Sequence, residues 1–296
     1  MSKNNTPQLL SKFHMAKKVS IINMKGGVGK STLTVNLAWH FAAYTHWLKK
    51  VLVVDLDPQF NTTQYLLGVN KYREILDQGK STTWDILEQN TRTPTGHSKA
   101  LDPHKPIHNV ATFLNASSRI DLIPSRLELA LSLKNPGQNK EKQLCKTLAK
   151  IENEYDLILI DCAPTESVLT TAAYLSSDYL LVPVKPEYLS AIGLPLLVNS
   201  MQDFKSDYDD HHLNLAGVVF NATSDYFPEE LFSKQMVRQI ASTNGWYVFN
   251  AEVPYSKSFP KGAREGKPII NTSYARTAQK QRFSKFAEEF AARINL

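Results

Sequence analysis

A chain of 296 residues, 42% hydrophobic and 21% charged, is long enough to bury a substantial core as one globular domain. It has no apolar run of the roughly 18 residues that a bilayer-spanning helix needs, and its N-terminal segment lacks the apolar stretch and small-residue cleavage site of a secretory signal. Its two cysteines, Cys145 and Cys162, lie far apart in sequence, which excludes a CxxC metal site or a disulfide framework and fits a reducing cytoplasm. The net charge of +6 is segregated: residues 1–50 hold eight lysines and no acid, and residues 257–285 hold eight cations against Glu265 alone. Such segregation points to a polyanionic partner.

Taken in chain order, residues 1–16 read as a flexible basic arm. KVSIIN (18–23) is a β-rich run, followed by a glycine loop and a helical pattern, TLTVNLAWHFAAY (32–44). KVLVVDLD (50–57), IDLIP (120–124), YDLILID (155–161), DYLLVPV (178–184), LNLAGVVFN (213–221) and GWYVFNAEVP (245–254) are further apolar runs, separated by helical stretches. Continuous apolar runs alternating with helices predict an α/β fold, a single domain over 17–296 with a mostly parallel twisted sheet and helices on both faces; the glycine loop between its first strand and helix is what marks it as a P-loop NTPase domain. Residues 89–118, rich in Thr, Pro, His and Asn, read as an irregular surface insertion. The histidines His97, His104, His108 and His211 show no metal-ligand spacing. Ligands of such sheets bind at the carboxyl ends of the strands, where Asp55, Asp57, Asp161 and Asn221 are expected to gather.

The strongest motif is Lys25-Gly26-Gly27-Val28-Gly29-Lys30-Ser31-Thr32, set between a strand and a helix. Glycines let the backbone turn tightly and aim its N–H groups at phosphate, and the helix N-terminus adds positive potential. In such a loop Lys30 bridges the β- and γ-phosphates of ATP, the Ser31 hydroxyl ligates Mg²⁺, and Thr32 reaches the α-phosphate. Asp161, ending the hydrophobic strand Leu157–Ile160, fits the acid that holds Mg²⁺ through water. Asp55 and Asp57, two residues apart on a strand, point to the same face and can share one metal-centred site.

The loop has Met24 where an ordinary Walker A motif has glycine, and a second lysine, Lys25, beside it. This form resembles the deviant Walker A ATPases of the ParA/MinD family, and Asp55-Leu56-Asp57-Pro58-Gln59 is similar to the family's DxDPQ segment. The resemblance implies that Lys25 reaches the partner subunit's phosphates in an ATP-bound homodimer, that Asp57 orients or activates the attacking water, and that Asp55 supports the magnesium shell and the switch geometry. It also implies that Asn221 reads the adenine edge. VPYSKSFPKGAREGKPI (253–269) is similar to the segment that wraps the base; Pro254, Gly266 and Lys267 fit it, whereas Tyr255 replaces the usual arginine and Lys261-Gly262-Ala263 replaces Glu-Ala-Pro.

Within this family the basic tract favours a ParA-type partition ATPase, slow alone, with non-specific DNA contacts from Arg264, Lys267, Arg276, Lys280 and Lys285. A ParB-like centromere-binding protein or a cargo adaptor would stimulate hydrolysis, and the protein would be cytoplasmic and nucleoid-associated. A ParA-like ATPase with a protein cargo would share the same site. A MinD-like membrane ATPase would need an amphipathic C-terminal helix. The stripe Phe283, Phe286, Phe290, Ile294 could form one, but it reads better as core packing, so no membrane partner is expected.

Overall fold

The computed structural model describes residues 15–44, 46–89, 101–134, 139–187, 190–224, 228–268 and 277–296. Eight strands form one sheet: β1 (Lys17–Ile21), β2 (Lys50–Leu56), β3 (His108–Phe113), β4 (Ser118–Ile123), β5 (Leu157–Cys162), β6 (Tyr179–Val184), β7 (Asn214–Thr223) and β8 (Val253–Pro254). Their spatial order is β3-β4-β2-β5-β1-β6-β7-β8. Every adjacent pair is parallel except β3 with β4. The helices are α1 (Lys30–Ala43), α2 (Asn61–Asp77), α3 (Thr83–Glu88), α4 (Gln143–Leu148), α5 (Val168–Leu175), α6 (Ser190–Asp207), α7 (Pro228–Thr243), α8 (Ser258–Glu265) and α9 (Thr277–Ile294).

The apolar runs form central strands because both of their faces are covered. On β2, Val51 and Val53 point to one core while Leu52 and Val54 point to the other. The first core packs under α1 and α9, with Leu33, Leu37 and Phe41 meeting Phe283, Phe286 and Phe290. The second packs under α3 to α7, through Ile86, Leu148, Leu169, Leu197 and Val237. Each fully buried large side chain stabilises by about 1.5–3 kcal/mol, so the two faces together carry the fold.

The expected strands are present, with two differences. The segment read as irregular contains β3, which pairs antiparallel with β4 through a tight turn in which Leu114, Asn115 and Ala116 all have positive φ. Its alternating, half-exposed sequence HNVATF lacks the continuous apolar signal of a central strand, because an edge strand need bury only one face. Conversely, the run GWYVFNAEVP is not one strand: it gives an isolated bridge at Val248 and the two-residue β8. Gly217 of β7 makes this crossing possible, since a Cβ there would stand 2.8 Å from the Phe249 ring and 3.0 Å from the Tyr247 carbonyl. Residues 1–14 of the expected arm and 90–100 of the expected insertion lie outside the described residues.

Candidate nucleotide site

The carboxyl ends of β1, β2 and β5 converge because these strands are neighbours in the sheet, with Ile21 in register with Asp161 and Asp161 with Asp55. Between β1 and α1 the glycine loop turns back on itself, with Gly27 at φ 75° and Gly29 at φ 88°. Helix α1 then starts at Lys30 with no side-chain cap, so its first N–H groups face the cleft. The cleft encloses about 900 Å³ and is lined by the loop glycines, Lys30, Ser31, Thr32, Asp57, Gln59, Asn61, Gln64, Tyr65, Pro164, Ala263 and Arg264, among others.

Lys30 is buried, and its ammonium donates to the carbonyls of Asn23 at 3.1 Å and Lys25 at 3.2 Å. Burial pulls its pKa down, partly offset by Asp161, Cys162 and Asp57. Lys25 is absent from the cleft lining. Its ammonium reaches Glu187, just beyond β6, at 3.1 Å. Asn23 shapes the loop entry, donating to the Pro183 carbonyl at 2.8 Å and accepting from the Lys25 N–H at 2.8 Å.

Asp161 is fully buried. It accepts from the Thr62 hydroxyl at 2.7 Å through Oδ2, while Oδ1 has no hydrogen-bond partner among the described residues. Burial pushes its pKa up to about 6, against the neighbouring Ser31 and Thr62 hydroxyls and Lys30. A buried, orphaned carboxylate oxygen next to a serine hydroxyl at the foot of a phosphate loop is a hard-oxygen donor set that fits Mg²⁺. Asp57 is nearly buried at the cleft wall and accepts from the Gln59 N–H at 2.9 Å; burial raises its pKa as well.

Asp55 is not among the residues that line the cleft. Its oxygens accept from the Asp57 N–H at 3.1 Å and from both the N–H and the hydroxyl of Thr63 at 2.7 Å, and Thr63 Oγ1 in turn accepts from the Ser125 N–H. It lies behind the cleft, capping α2 and bracing the turn that carries Asp57. Asn221, expected at the adenine edge, donates Nδ2 to the Val28 carbonyl at 2.7 Å and would stand 2.1 Å from a Cβ on Gly29. Pro254 sits on β8 in register with Thr223 and does not line the cleft.

The expected DNA contacts separate. Arg264, placed among them by charge, is exposed and stands on the wall of the nucleotide cleft, where the packing of α8 on α2 puts it. Lys267 and Lys285 are exposed, Lys280 is half-buried, and Arg276 lies outside the described residues. The α9 stripe of Phe283, Phe286, Phe290 and Ile294 is fully buried, which removes it as a membrane anchor. No described helix is long and apolar enough to cross a membrane. Sequence reading missed Thr62, Thr63 and Asn23, and named Arg264 for DNA alone: the motifs mark the loop and acids but say nothing of which neighbours surround them.

Residues 16–214 match the model of an AAA domain family. The chain is 30% identical over 280 residues to the chromosome-partitioning ATPase Soj of Treponema pallidum, covering 94% of this chain and 98% of that one. It is 27% identical to the chromosome partitioning protein ParA of Caulobacter vibrioides, over 93% and 94% of the two chains. Among solved structures, a plasmid partition protein of Borrelia burgdorferi bound to AMPPNP superposes with a TM-score of 0.69 at 24% identity, over 94% of this chain and 99% of that one. The ATP complex of a variant of McdA from Cyanothece superposes with a TM-score of 0.76 at 17% identity, over 96% and 97%. With its two-lysine phosphate loop, Asp57 and Asp161 gathered at the carboxyl ends of the central strands, the chain belongs to the ParA-type ATPases of the deviant Walker A family.

Proposed function

We propose that this ATPase dimerises on binding ATP, binds DNA without sequence preference, and uses slow, partner-stimulated hydrolysis to position or segregate a DNA cargo. The observation that carries this reading is the division of labour between the two loop lysines. Lys30 lies folded into its own cleft, while Lys25 reaches out of it to Glu187. A lysine directed away from its own phosphate site is suited to serve a second subunit's site.

In hydrolysis the residues position and neutralise rather than form covalent bonds. Lys30 leaves its carbonyl partners for the phosphate chain, the loop N–H groups cradle it, and Lys25 adds charge from the facing subunit as an arginine finger does. Mg²⁺ would be held by the Ser31 hydroxyl and, through water, by Asp161, and supplies neutralisation of charge developing on the phosphates. Asp57, its pKa raised by burial, orients the attacking water, and the Asp55–Thr63–Ser125 chain fixes the turn that presents it.

For DNA the candidates are Lys267, Lys280 and Lys285, with Arg276 beside them in sequence. The stimulating partner would be a centromere-bound or cargo-bound protein, and the dimer would ride on the nucleoid. Binding to a random-sequence duplex, measured with ATP, ADP and no nucleotide across a salt series, tests the reading. The expected result is ATP-dependent, sequence-independent binding that weakens steeply with salt. Binding that ignores nucleotide state, or none in any state, overturns it.

A further inference from the structure

We propose that Arg264 binds the phosphate chain of the nucleotide held in its own subunit, closing the cleft from the side opposite the glycine loop. This rests on the reading of the site as an ATP site. By charge alone Arg264 belongs to the basic tract and would be assigned to DNA, but the cleft it lines, of about 900 Å³, admits a nucleotide and not a duplex.

Helix α8 is short and carries three charged residues, Lys261, Arg264 and Glu265. Lys261 and Glu265 pair across one turn at 3.4 Å. Arg264 has no ion pair among the described residues, although it stands on the wall of a cleft that holds Lys30 and Asp57. The placement of α8 is fixed from α2. The Tyr65 hydroxyl lies 3.4 Å from the Phe259 carbonyl near the start of α8 and 3.3 Å from the Lys267 carbonyl beyond its end. Gly266, in the left-handed region at φ 61°, ends the helix one turn after the Gly262 carbonyl accepts from the Lys267 N–H at 2.9 Å. The Arg264 side chain is exposed to the same cleft as the glycine loop, and a guanidinium there can grip phosphate oxygens with two donors at once. Because α2 begins just beyond Asp57, a nucleotide gripped by Arg264 also ties α8 to the element that carries Gln64 and Tyr65.

Titration of ATP, ADP and tripolyphosphate, each with Mg²⁺, into wild type, Arg264→Ala, Arg264→Lys and the exposed-surface control Arg73→Ala tests this. Arg264→Ala is expected to weaken ATP and tripolyphosphate alike by about tenfold or more, with the melting temperature of the nucleotide-free protein unchanged. Arg264→Lys is expected to recover part of the loss, and Arg73→Ala to match wild type. Unchanged ATP affinity in Arg264→Ala overturns the proposal, and so does a loss of ATP affinity with tripolyphosphate unaffected, which would move the contact to base or ribose. If wild type itself binds none of the three, or Lys30→Ala binds ATP as well as wild type, it is the ATP-site reading that fails.

Discussion

Two buried residues show how single side chains in this protein trade stability against role. Asp161 is ionised at neutral pH only against its burial, which pushes its pKa in the folded protein up to about 6, well above that of an ordinary aspartate. The unfolded chain releases this proton first as pH rises, so Asp161 lowers stability progressively through that window and fully above it. Asp161→Asn keeps an acceptor for Thr62 and removes the charge. It should raise the stability of the nucleotide-free protein at pH 7 by on the order of 1–3 kcal/mol while abolishing Mg²⁺-dependent turnover; an unchanged or lower melting temperature would contradict the account. His40 has the opposite sign. It is buried among Phe41, Tyr44 and Phe283, neither ring nitrogen has a partner among the described residues, and burial lowers its pKa to about 4. The unfolded chain takes up this proton first as pH falls, so the stability His40 permits above about pH 6.5 is lost towards pH 4. His40→Leu should flatten that acid limb in melts taken across the range, and a limb as steep as in wild type would locate the acid sensitivity elsewhere.

At the scale of elements, the glycine loop is held from behind as well as by its own turns. Gly29 combines a positive φ with the close approach of Asn221, which grips the Val28 carbonyl. Gly29→Ala therefore meets both a strained backbone and a collision, and should reduce ATP binding by at least tenfold, with strain of about 1–3 kcal/mol; near-normal ATP titration would show that the loop tolerates another path. The loop was legible in the sequence because glycine spacing and the flanking periods are local. The hydrogen bonds of Asp55 and Asn221 were not, because no motif of contiguous residues pairs Asp55 with Thr63, Thr63 with Ser125, or Asn221 with Val28. Strand β3 was missed for a related reason: an edge strand paired on one side needs no continuous apolar run.

Across the whole molecule, the separation of Lys25 from its own cleft makes a prediction that only a dimer can satisfy. Lys25→Ala and Asp57→Ala should each bind ATP and be inactive, yet a mixture should regain partial turnover, because mixed dimers hold one site with an intact Asp57 and a Lys25 from the other subunit. No recovery in a mixture shown to form mixed dimers would place Lys25 in cis. The parallel α/β sheet, the phosphate loop and the acids at the ends of its strands follow from the sequence, since these depend on hydrophobic period and on motifs of contiguous residues. Only the tertiary structure decided that Asp55 braces a turn while Asp161 keeps one oxygen without a partner among the described residues, that the α9 stripe is buried, and that the exposed Arg264 stands on the wall of the nucleotide cleft. Charge and apolarity along a chain do not say which face of a helix is covered; the packing of α8 on α2 and of α9 on α1 does.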